Sequence, residues 1–90
     1  MTLIEEITAR LQVLAPTALN IIDDSALHAG HKGNGGGGHF QVQITSSQFA
    51  GKSHIMRHRL IYQALADLIP VRVHALSIQA QAPDEAGSSN

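Results

Sequence analysis

The sequence predicts a small α+β domain of two layers, in the element order α-β-β-α-β. Three observations lead there. Phe40, Val42 and Ile44 alternate with Gln41, Gln43 and Thr45, the period-two pattern of a strand with one buried and one wet face. His58, Ile61, Tyr62, Leu65, Leu68 and Ile69 recur as a single helical stripe. Ninety residues suffice for one modest core, so a three-stranded sheet with two helices on one face is the economical way to bury both patterns.

The elements follow in order. Thr2-x-x-Glu5 has the form of a capping box, and Leu3, Ile4, Ile7, Leu11 and Leu14 make an apolar stripe behind it. A first helix is therefore expected over 3–14, ended by Pro16. Residues 18–23, rich in Ile and Leu, read as a strand. The stretch 25–38, SALHAGHKGNGGGG, is a polar, glycine-dense loop of a length that small domains keep for function or leave disordered. The clearest strand runs over 39–45. Ser53 is a good N-cap for the long helix, which Pro70 stops after Ile69. Residues 71–81 alternate again, with His74, Leu76, Ile78 and Ala80 on one side. The domain is expected to span 1–82, with Phe40, Val42, Ile44, Leu65, Leu68, Leu76 and Ile78 in one core. PDEAGSSN, 83–90, has no periodicity and is expected to be a disordered tail.

Composition narrows the function. The net charge of −1 gives little bulk attraction to nucleic acid. There is no cysteine, hence no disulfide, no thiolate ligand and no thiol nucleophile, which is compatible with the cytoplasm. No apolar run approaches the roughly 20 residues of a membrane helix. MTLIEEITAR carries two early carboxylates and no cationic stretch, so no secretory signal is expected there. GNGGGG at 33–38 satisfies G-x-G-x-x-G trivially but precedes a strand, not a helix. Gly51-Lys52-Ser53 resembles the end of a phosphate loop, yet Ser46 stands where the first glycine is required, and a glycine turn capping a helix is the better reading. No nucleophile, base and acid are held together by any spacing, so the chain reads as a non-enzyme.

Six histidines stand out in so short a chain. His58 lies on the core-facing helical stripe and reads as a partly buried histidine hydrogen-bonded to backbone sooner than as a ligand, while His54 lies in the exposed first turn. His39 opens a strand and points outward with Gln41. His28 and His31 form an H-x-x-H pair in the glycine-rich loop, where two ligands alone leave a metal unsatisfied. His74 stands near the start of the last strand. Lys52, His54, Arg57 and Arg59 cluster where the helix dipole disfavours positive charge, so helix stability does not account for them. Binding to a nucleic-acid backbone, or to an acidic partner, does.

F-x-G-K-x-x-x-x-R-H-R-x-I-Y-x-x-L at 49–65, with DDSALH at 23–28, HFQV at 39–42 and VHAL at 73–76, resembles the signature of the BolA family. The resemblance runs from Leu3 to Gln81 and implies a class II KH-like fold. It also implies a [2Fe–2S] cluster shared with a monothiol glutaredoxin, in iron–sulfur or iron homeostasis or stress regulation. The histidine of V-H-A-L, here His74, and a loop ligand, here His28 or His31, would come from this chain. The partner's cysteine and its bound glutathione would complete the set, so no cluster is expected on the isolated chain. Two histidines on one iron have precedent in Rieske centres. Some family members act as DNA-binding transcriptional regulators of stress response and cell morphology, which would use Lys52, His54, Arg57 and Arg59. Against a KH-type clamp, Gly51-Lys52-Ser53-His54 lacks the second glycine, and Phe40, Phe49 and Tyr62 are the only aromatic rings of the Phe, Tyr and Trp type.

Overall fold

The computed structural model describes residues 2–24, 38–69 and 71–88. Helix α1 (Leu3–Leu11) starts with the expected capping box: Glu5 N–H donates to Thr2 Oγ1 (3.1 Å) and Thr2 N–H to Glu5 Oε1 (2.7 Å). Its last turn tightens into a 3-10 turn over Gln12–Leu14, closed by Ala15 in the left-handed region (φ 48°) ahead of Pro16. Strand β1 (Ala18–Asp23) pairs antiparallel with β2 (Gly38–Thr45), and β2 pairs parallel with β3 (Val73–Gln81), giving the order β1-β2-β3.

Helix α2 (His54–Ala64) makes the parallel crossover. Its entry is a tight turn with Ala50 at ψ 131° and Gly51 at φ 74°, closed by Lys52 N–H to Phe49 O (3.1 Å). Glycine is required at that left-handed position. Ser53 then caps the helix by accepting from Met56 N–H (3.2 Å). The α-helix is shorter than the apolar stripe suggested, since residues 65–69 continue as turns. Leu65 and Leu68 remain buried across that change.

Both helices contribute to one core. Ile7, Leu11 and Leu14 come from α1 and its 3-10 turn, Ile61, Leu65 and Leu68 from α2 and its continuation, and Phe40, Val42, Ile44, Val73 and Ala80 from the sheet. Leu76 and Ile78 pack against it, as expected. Gln41, Gln43 and Thr45 lie on the opposite face and are half-buried. Ion pairs from Arg10 to Asp67 (2.7 Å) and from Arg72 to Glu6 (2.7 Å) tie α1 to the segment between α2 and β3.

Two expectations change. The core stripe of α2 runs through Arg57 and Ile61 and leaves out Tyr62: Arg57 is buried and Tyr62 exposed, while His58 is half-buried as expected. Residues 83–88 are helical (α3, Pro83–Ser88), where a disordered tail was expected from 83. Pro83 opens the helix with its fixed φ, Asp84 and Glu85 suit its positive end, and Glu85 Oε1 accepts from Ala82 N–H (3.1 Å).

Replacing Leu65, fully buried at the meeting of α2 and the sheet, with alanine should cost about 2–5 kcal/mol. Denaturant unfolding measures it; a cost under about half a kcal/mol would mean that this side chain is not packed as described.

Candidate functional site

The pairing of β2 with β3 is out of step at one place. Gly38 pairs with Val73 but His39 pairs with Ala75, so His74 is an extra residue in β3. Beyond this bulge the register is regular, Phe40 with Leu76, Val42 with Ile78 and Ile44 with Ala80. The bulge reverses parity ahead of Ala75. Val73 turns into the core (1% exposed), and His74 becomes exposed, off the face of Leu76 and Ile78 where alternation alone had placed it. Bulges re-aim side chains in this way, often beside functional sites.

The neighbouring residues fit the irregularity. A Cβ on Gly38 would fall onto the Phe40 ring, so the missing side chain is what lets that ring lie against the strand. Gly38 N–H donates to Arg72 O (3.0 Å), and Asp24 N–H donates to His39 O (2.7 Å), which closes the end of the sheet on both sides. The re-aimed His74 comes beside His39, with ring centroids 5.4 Å apart and planes tilted by 46°. Asp24, His39, Ala75 and Ser77 line a shallow recess at the same end, and the Asp24 carboxylate accepts from Gln41 Nε2 (2.5 Å). The sequence had read His39 only as an outward strand residue, and its neighbour could not be seen without the bulge.

His28 and His31 lie outside the described residues, so their placement relative to His74 is not described. The donor set can still be tested against an iron–sulfur cluster. The chain offers exposed imidazole at His74 and has no thiolate, so its own residues fit one half of a mixed cluster and require two thiolates from elsewhere. Among the described residues, no three histidine or acidic side chains converge on one point.

The basic cluster divides. Lys52, His54 and Arg59 are exposed at the start of α2. Arg57 is 5% exposed and points inward, contrary to the expectation that it belongs to a nucleic-acid surface. Its Nε donates to Lys52 O (2.9 Å) and its Nη1 to Ala80 O (3.0 Å). Nη1 and Nη2 also grip Glu85 Oε1 and Oε2 at 2.6 and 2.7 Å. A buried guanidinium needs such partners, and the bidentate carboxylate is the strong one. Glu85 lies 28 residues further on, which is why the helical stripe alone did not reveal it.

A three-stranded mixed sheet packed against helices, with an exposed histidine on a strand bulge, defines a small α+β domain. The chain belongs to the BolA family: the family model described as BolA-like protein matches residues 11–85. BolA-like protein 1 of Pongo abelii is 42% identical over 79 residues, 88% of this chain and 56% of that protein. The "DNA-binding transcriptional regulator BolA" of Vibrio cholerae is 37% identical over 70 residues, 78% of this chain and 64% of that protein. The chain thus spans little more than half the length of these relatives. The BolA domain of SufE1 from Arabidopsis thaliana superposes with a TM-score of 0.79 at 44% identity, covering 90% of this chain and 92% of that one.

The grip of Arg57 holds the Glu85 carboxyl at about 2, well below its ordinary 4.5, with help from the Ala82 N–H. A carboxylate held low in the fold lends stability that is complete above its unfolded value and lost as pH falls toward the folded one. Glu85→Gln should therefore be less stable than the parent above about pH 5, and the gap should close toward pH 2. Thermal unfolding from pH 7 to pH 2 checks this, and a gap independent of pH would contradict it.

Proposed function

We propose that this chain is a non-enzymatic BolA-like protein that pairs with a monothiol glutaredoxin and shares a [2Fe–2S] cluster with it, in iron–sulfur or iron homeostasis or stress regulation. The observation that carries the reading is the bulge that sets the His74 imidazole, exposed, on a hydrogen-bonded strand. His74 would be the fixed ligand, and His28 or His31 the second, from the glycine-rich loop. When bound, such a cluster supplies one-electron chemistry and a transferable iron–sulfur unit. The chain itself would do two things: His74 presents an imidazole from a hydrogen-bonded strand, and the absence of cysteine leaves both thiolate positions to the partner's cysteine and glutathione. No helix among the described residues is long and apolar enough to cross a membrane, and a cytoplasmic setting is part of this reading.

Mixing the protein with cluster-bearing, glutathione-loaded monothiol glutaredoxin should give a heterodimer with an altered visible spectrum. His74→Ala should abolish that change, and the His28→Ala/His31→Ala double variant should match the loss. A spectrum unchanged in His74→Ala would overturn the assignment.

A second reading, binding of DNA through its backbone, is favoured by the exposure of Lys52, His54 and Arg59 at one helix start and by the name of the Vibrio cholerae relative. With Arg57 committed to Glu85, two full charges remain, so log affinity should fall against log salt with a slope of roughly −2 on duplex DNA. Affinity that persists after removal of both Lys52 and Arg59 charges would contradict it.

A further inference from the structure

We propose that His39 and His74 form a preformed two-imidazole site for a single first-row divalent ion such as Zn²⁺, which the isolated chain binds with neither glutaredoxin nor the loop histidines. Their geometry carries the inference. With Zn–N near 2.0–2.1 Å, two imidazoles on one tetrahedral ion have ring centroids about 5 Å apart. The observed separation is 5.4 Å with the planes tilted by 46°, close to that spacing.

The backbone supports the same arrangement. His39 sits in β2 with its carbonyl held by Asp24 N–H, and His74 sits in the bulge of β3, between the paired residues Val73 and Ala75. Both ligands sit on paired strands of the sheet. Imidazole suits Zn²⁺, Ni²⁺ and Cu²⁺. Two imidazoles alone leave the ion incompletely coordinated, so water fills the remaining positions and the site is a weak one, with no third histidine or carboxylate converging there among the described residues. The bland alternative is that the two rings merely pack, with no affinity for an ion.

The site shares His74 with the proposed cluster, so the two occupants exclude one another. Its test needs no glutaredoxin and stands or falls separately from that reading. Zn²⁺ is titrated into the isolated full chain, followed by calorimetry and by backbone amide NMR. One equivalent should bind, with shifts centred on 38–40 and 73–77. Loss of even an outer partner of a metal ligand weakens sites by 10–100-fold, so His39→Ala and His74→Ala should each weaken binding by about tenfold or more. The His28→Ala/His31→Ala variant, and a His54→Ala/His58→Ala variant that removes the i, i+4 pair of α2, should bind as the parent does. Thermal unfolding shows that each variant is folded, and His39→Gln replaces any alanine variant that is not. Parental affinity in the His39 variant, loss of binding in either control double variant, or no binding by the parent would each overturn the proposal.

Discussion

The one-residue slip between β2 and β3 is the constraint on which the rest of this end of the molecule depends. Leu76, Ile78 and Ala80 must face the helices to meet Phe40, Val42 and Ile44 across the sheet. With unbroken alternation His74 would face inward too and Val73 outward. Burying an unpartnered imidazole in place of a valine would lose apolar burial and incur a desolvation cost. The extra residue resolves the conflict, putting Val73 into the core and His74 into solvent beside His39. Gly38 makes room on the partner strand, where any side chain would meet the Phe40 ring.

At the other end of β3 a second constraint operates. Arg57 lies under α3, and its guanidinium joins three separate pieces of chain: the turn before α2 through Lys52 O, the strand through Ala80 O, and α3 through Glu85. The ion pair that holds α3 thus also fixes where α2 begins. Lys52, His54 and Arg59 are presented from that fixed start, while the histidines of the sheet stand at the opposite end of β3. The two candidate surfaces are built by different devices and can be probed separately.

Much of the fold was legible in the sequence because local signals agreed with the tertiary outcome. The capping box at Thr2, the alternation of β2 and the Ser53 cap each rest on interactions within a few residues. What was not legible depended on distant partners. Arg57 read as a surface charge because its counter-ion is in a short segment that lacks helical periodicity, although Pro83 followed by Asp84-Glu85 was a helix-start signal that could have been used. The placement of His74 was misread for a related reason. A bulge in a parallel pair is set by what the partner strand can accommodate, here Gly38, and strict alternation along one strand cannot show it. The pairing of His39 with His74 inherits that blindness.

The re-aiming of His74 is most directly tested in solution by proton–proton nuclear Overhauser contacts of its imidazole ring. Cross-peaks between the ring protons of His74 and those of His39, with none from His74 to the side chains of Leu76 or Ile78, are the predicted result. Contacts from the His74 ring to the Leu76 or Ile78 methyl groups would place it on the core face and contradict the bulged register.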